Sequence, residues 1–236
     1  MKTIILYDNT AQNGLKSGWG FSALVDDRIL FDTGEDSGSL FYNMDRLGIE
    51  PDTIEAVVIS HDHWDHTGGL RKVLEHTRDL PVYACPDFSK DFKSRVIESG
   101  GRLVDTDDFI TIDNQILSTG QIAGEYKGEY LPEQALVLRT EHGLSIITGC
   151  SHPGIVTIVD KVKQNFPREP VSAVLGGFHL MVKDKLTIES IVKTMRDMGV
   201  DKVGPTHCTG DEGKYLFKKY YGKNFLVIEA GVVLDL

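Results

Sequence analysis

Nowhere in its 236 residues does the chain run apolar for the roughly 20 positions that a membrane-spanning helix needs. The short apolar stretch after Lys2 is broken by Asp8, so no signal peptide is expected. Cysteine is scarce. Cys85, Cys150 and Cys208 are an odd number set far apart, a poor disulfide framework that points to a reducing, cytoplasmic setting. Positive charge is also short: 25 Lys and Arg against 35 Asp and Glu leave a net charge of −10. That balance disfavours a broad nucleic-acid-binding face, because phosphate backbones demand Lys and Arg. It is compatible with a small anionic substrate held by metal ions and one or two cations. Linkers and low-complexity segments are absent, so residues 1–236 read as one domain large enough to bury a sizeable core. The partner expected is a small-molecule substrate, with neither nucleic acid nor membrane, and the oligomeric state is left open.

Histidine is unevenly placed. Of eight, none falls between residues 100 and 140, while three crowd into Ser60-His61-Asp62-His63-Trp64-Asp65-His66-Thr67-Gly68-Gly69. The apolar run Ala56 to Ile59 leads in and reads as a buried strand. Leu70 to Glu75 follows and reads as a helix. The cluster is therefore a strand-to-helix loop, the place where open α/β sheets bind ligands. Imidazoles and a carboxylate suit Zn²⁺, and also Mn²⁺ or Fe. His61 and His63 are two apart and can reach one ion from a tight turn. Asp65 and His66 are adjacent and cannot easily join that ion, so they suggest a second one beside it.

The rest of the chain alternates strands and helices. Strands are expected at Lys2 to Tyr7, Trp19 to Val25, Arg28 to Phe31, Val82 to Cys85, Arg102 to Val104, Phe109 to Ile112, Gln115 to Ser118, Ala135 to Arg139, Leu144 to Thr148, Val171 to Leu175, Lys202 to Gly204 and Phe225 to Ile228. Helices are expected at Ser39 to Leu47, Asp87 to Glu98, Pro153 to Phe166, around Ile188 to Met198, and at Glu212 to Tyr221. Thr119 to Glu133 is the least structured stretch, a lid, a pocket wall or a plain surface loop.

Four of the apolar strands end in a histidine just before a turn or helix: His61, His152, His179 and His207. If these strands share the orientation that strand–helix alternation implies, six histidines and Asp65 converge on one side of the fold. His76 and His142 read as surface residues. His179 reads as facing the pocket rather than binding metal.

The pattern His-x-His-x-Asp-His followed by Gly-Gly, after a strand and before a helix, resembles the signature of the metallo-β-lactamase superfamily. The resemblance covers nearly the whole chain. It implies an α+β fold, a four-layer αββα sandwich with two sheets face to face. It implies two divalent metal ions, most simply zinc, with His61, His63 and His152 on one and Asp65, His66 and His207 on the other. Asp32, in Phe31-Asp32-Thr33-Gly34, matches the family's early Asp that supports the metal loop from behind its ligands. Where many members carry a bridging Asp in Thr-Gly-Asp, this chain has Thr148-Gly149-Cys150, and His152 stands in for the family's separate histidine. Cys150 is then a pocket residue or a soft ligand, and His179 a pocket residue.

Thr-Gly-Cys-Ser-His-Pro-Gly, with a later Gly-Gly-Phe-His-Leu, resembles one branch of the superfamily. Its members include metal-dependent hydrolases and archaeal synthases that join a pterin-methyl diphosphate to an aryl amine. The resemblance implies a hydrolase in which a hydroxide on the metals attacks a phosphoryl or ester carbonyl centre, with Asp65 as the catalytic carboxylate. The rivals are a transferase of the synthase type and a non-catalytic metal-binding protein.

Overall fold

The computed structural model describes residues 1–236, which divide into two compact units. The first comprises Met1–Asp108 and Glu229–Asp235, the second Phe109–Ile228 and Leu236.

In the first unit a seven-stranded sheet runs in the order β15-β1-β2-β3-β4-β5-β6. Its strands are β1 (Lys2–Tyr7), β2 (Ser22–Val25), β3 (Ile29–Phe31), β4 (Ala56–Val58), β5 (Pro81–Ala84), β6 (Arg102–Asp105) and β15 (Val233–Asp235). Asp26 and Asp27, at φ 53° and 58°, make the tight turn between β2 and β3. Short polar side chains tolerate that left-handed pair, which matches the twist of the strands it joins. β3, β4, β5 and β6 run parallel. The helices are α1 (Ser37–Arg46), the single turn α2 (Trp64–Thr67), α3 (Leu70–His76) and α4 (Lys90–Glu98). Leu40 and Met44 of α1, Val73 and Leu74 of α3, and Phe92 and Val96 of α4 pack with Leu6, Leu24, Leu30, Val57 and Val82 of the sheet. Fully burying a side chain of this size is worth about 1.5–3 kcal/mol, so the cluster holds the sheet and its helices as one body.

The second unit holds a six-stranded sheet in the order β14-β13-β12-β11-β8-β7. Its strands are β7 (Ile110–Asp113), β8 (Ile116–Ser118), β11 (Leu136–Thr140), β12 (Gly143–Thr148), β13 (Val171–Gly177) and β14 (Lys202–Thr206). The helices α5 (Ile155–Asn165), α6 (Lys185–Asp197) and α7 (Gly210–Tyr221) cover it through Ile158, Val162, Val192, Met195, Leu216 and Phe217. β12, β13 and β14 are parallel, so their carboxyl ends share one edge. Both units are therefore mixed sheets with amphipathic helices, the α+β class expected.

Three expectations are corrected. Residues 119–133 are not wholly irregular: β9 (Glu125–Tyr126) and β10 (Glu129–Tyr130) form a small hairpin closed by Lys127 and Gly128 at positive φ. Pro153 does not sit in the first turn of α5, because Gly154 at φ 91° turns the chain and the helix begins at Ile155. Residues 225–228 make one bridge to Val203 rather than a strand, and the last strand is β15, paired with β1. The four histidine-ended strands lie in two sheets. β4 lies among β3, β5 and β6, while the other three form the parallel edge of the second unit.

Candidate metal centre

In the first unit the chain leaves β4 at Val58 and turns through Ile59 to His63 before the single turn α2. That path puts the donor atoms of His61, His63 and Asp65 all within 4.8 Å of one another. His61, Asp65 and His66 are buried. The His61 ring centroid lies 4.8 Å from that of His63 and 4.2 Å from that of His66. Asp65 and His66 are adjacent, yet Asp65 Oδ2 is 3.7 Å from His66 Nε2. The Asp65 carboxylate thus groups with the His61–His63 pair as well as with His66.

Behind these donors stands Asp32, fully buried and at φ 55° immediately after β3. Its Oδ1 accepts the Ser60 N–H at 2.7 Å. Its Oδ2 accepts the Ser60 hydroxyl at 2.7 Å and lies 2.6 Å from His66 Nδ1. A carboxylate on one ring nitrogen fixes the tautomer and leaves the other nitrogen, here Nε2, to ligate. Ser60 Oγ lies 2.9 Å from His61 Nδ1 and fixes that ring in the same way. Two or three imidazoles and a carboxylate, buried and oriented from behind, are a donor set that fits a divalent metal.

In the second unit, His152, His179 and His207 follow β12, β13 and β14 on their shared edge. Cys150, His179 and Cys208 have their donor atoms within 4.8 Å of one another. The His152 and His179 rings are 4.4 Å apart, and Tyr126 of the small hairpin meets them edge-on at 5.2 Å and 5.9 Å. Ser151, His179 and His207 take left-handed backbone conformations at φ 62°, 51° and 49°. Such outliers persist only where surrounding structure holds them, and they cluster at functional sites. Burial pushes the Cys208 thiol up, but hydrogen bonding with Cys150 and His179 and the nearby imidazoles bring it well below its ordinary value. The His179 imidazole is correspondingly raised by its hydrogen bond with Cys208, against the opposing effect of burial.

Glu133 and Cys208 escape the motif reading. Glu133 is fully buried. Its Oε1 accepts the N–H groups of Cys150 and Ser151 at 2.9 and 2.8 Å, and its Oε2 accepts that of His152 at 2.7 Å. This clamp holds the loop that presents Cys150 and His152. Nothing in the sequence marks Glu133, because it stands beside Gln134 and close to Glu129 in a polar approach to β11. Cys208 was hidden by following His207 directly. The two histidines read as surface residues, His76 and His142, are exposed.

Comparison with known proteins agrees with this chemistry. Residues 20–156 match the metallo-beta-lactamase superfamily. The chain is 32% identical to the 7,8-dihydropterin-6-methyl-4-(beta-D-ribofuranosyl)-aminobenzene-5'-phosphate synthase of Methanocaldococcus jannaschii, covering 88% of this chain and 84% of that protein. A second protein of that organism, uncharacterized, is 31% identical over 98% of this chain and 99% of its own length. Among solved structures, Tm1679, described as a metal-dependent hydrolase of the beta-lactamase superfamily, superposes with a TM-score of 0.85 at 32% identity over 100% of this chain and 99% of that one. YhfI from Bacillus subtilis, at 15% identity and a TM-score of 0.68 over 99% of this chain and 98% of that one, shares the fold. The histidine-rich loop, the α+β architecture and these likenesses agree: the chain belongs to the metallo-β-lactamase superfamily and has its fold.

Proposed function

We propose that this protein is a metal-dependent hydrolase of small phosphate- or ester-bearing molecules. The observation that carries the reading is the largely buried cluster of His61, His63 and Asp65, with Ser60, itself held by Asp32, orienting the His61 ring. In this reading His61, His63 and His152 would hold one ion and Asp65, His66 and His207 a second. Zinc suits the donors best, and Mn²⁺ or Fe²⁺ are alternatives. Such ions lower the pKa of a coordinated water from about 15.7 towards 7 and so supply a nucleophile at neutral pH. The chain's own residues do the rest. Asp65 orients the attacking water and passes a proton to the leaving group. Asp32 keeps His66 in the tautomer that ligates through Nε2. Glu133 holds the loop that carries His152, and Cys150, His179 and Tyr126 wall the substrate.

A second reading is group transfer, in which an amine replaces water as nucleophile and a diphosphate leaves. It is favoured by the 32% identity to the archaeal synthase, and by Tyr126, whose ring lies beside His152 and His179 as an aromatic wall for a second organic substrate. One panel separates the readings. Phosphodiesters, phosphomonoesters, lactones and a pterin-methyl diphosphate with an aryl amine are offered to the protein loaded in turn with Zn²⁺, Mn²⁺ and Fe²⁺. Metal-dependent release of alcohol or acid from the first three supports hydrolysis. Product formation only from the pterin diphosphate and amine together supports transfer, and inactivity on all of them counts against both.

A further inference from the structure

The first unit carries a cavity that the metal chemistry does not use. Its volume is about 270 Å³, and its walls come from α2, α3 and α4. Leu74, Phe92 and Val96, part of the buried core, give it an apolar back. Trp64 stands at its side, 62% exposed and making no hydrogen bond or ring contact. Two guanidinium groups, Arg71 and Arg95, complete the lining. Arg71 is held only by an exposed ion pair with Glu75 at 3.0 Å, and such pairs are worth little. Arg95 forms no ion pair. The single carboxylate in the wall, Glu35, is already engaged by the Trp19 N–H at 2.7 Å and the Tyr7 hydroxyl at 3.3 Å.

We propose that this cavity binds a small planar aromatic carboxylate. Guanidinium groups meet carboxylates through paired, charge-assisted hydrogen bonds. An unoccupied indole beside an apolar wall offers a face or edge to an aromatic ring. The volume lies just below the roughly 300–1,000 Å³ of pockets for drug-sized ligands, which suits one or two fused rings. In a chain of net charge −10, two arginines on one apolar cavity, one unpaired and one held only by an exposed surface pair, point to an anion as the guest. Trp64 and Thr67 belong to the same helical turn as Asp65 and His66, so occupancy of the cavity bears directly on the turn that carries those donors. The proposal does not depend on which reaction the metal centre performs.

The test is calorimetric titration of the metal-loaded protein with 2-naphthoate, and with 2-naphthamide as its neutral isostere. Saturable one-to-one binding of naphthoate is expected. Binding should weaken by about tenfold or more for the amide and for the Arg71→Gln/Arg95→Gln double variant, the scale of hydrogen bonds to charged groups. Trp64→Ala should weaken it and abolish the accompanying change in indole fluorescence. Both arginines lie outside the buried core, so circular dichroism of the double variant should match the parent. Should the double variant prove unstable, Arg95→Gln alone is expected to weaken binding severalfold. Absence of binding, equal binding of the amide, or unchanged affinity in the arginine variants would overturn the proposal. So would loss of binding in His61→Ala but not in the arginine variants, because the carboxylate would then sit on the metals.

Discussion

At the scale of single residues, Asp65 and Asp32 show how two carboxylates divide their work. Asp32 is spent on Ser60 and His66 and is fully buried. Asp65 sits among the imidazole donors. Asp65→Asn keeps the size and one acceptor oxygen but removes the charge that favours a metal and its water. Given an active substrate from the panel, turnover should fall by at least ~10²-fold, the low end of what acid–base groups contribute. Far-ultraviolet circular dichroism should be unchanged, because α2 is one turn outside the core strands. Near-full activity would remove Asp65 from the catalytic role. The loop donors could be picked out from the sequence because their spacing on a strand-end loop is itself chemical information, whereas Asp32 followed only from the family resemblance. Glu133 could not. Its three acceptor contacts reach 17 to 19 residues along the chain, and no short-range pattern encodes them.

At the scale of elements, the Gly68-Gly69 pair joins α2 to α3 by backbone-to-backbone contact. A Cβ at Gly68 would lie 2.0 Å from the Glu35 carbonyl oxygen, and one at Gly69 would lie 2.6 Å from that of Thr33. Neither neighbour is a flexible side chain that could swing aside. Gly68→Ala should therefore destabilise by about 1–3 kcal/mol, the usual cost of overpacking, read as a lower urea midpoint. An unchanged midpoint would mean that the joint is looser than its contacts imply. The start of α1 carries a pH signature. Asp36 accepts the N–H groups of Gly38 and Ser39 at 3.1 and 2.7 Å. Hydrogen bonding with the Ser39 side chain, and then with the Ser39 and Gly38 backbone, holds its carboxyl below the ordinary value. A lowered folded pKa stabilises above the unfolded value of about 3.9 and is lost as pH falls through the folded one. Asp36→Ala should cost about 1 kcal/mol at pH 7 and progressively less below pH ~4, measured by denaturation at each pH. A penalty that did not change with pH would remove the carboxylate charge from the account. Most elements were readable from periodicity, but caps such as Asp36 moved their ends. Residues 225–228 had strand composition without a full strand partner, and the 125–130 hairpin was masked by polar residues and glycines.

At the scale of the whole molecule, no helix is long and apolar enough to cross a membrane. Two mixed sheets with their own helical layers set out the strand ends on which the candidate donors stand. The parallel order of β12, β13 and β14 was implicit in strand–helix alternation, whereas the assignment of β4 to a different sheet was not, because alternation does not say which strands pair. The central proposal is that His61, His63 and His152 together with Asp65, His66 and His207 would hold metal. Elemental analysis of the purified protein tests it most directly. The account predicts two equivalents of divalent metal per chain, with the loss of at least one in His61→Ala and in His152→Ala while circular dichroism is retained. Parent protein without metal above background after growth in supplemented medium, or unchanged stoichiometry in both variants, would contradict it.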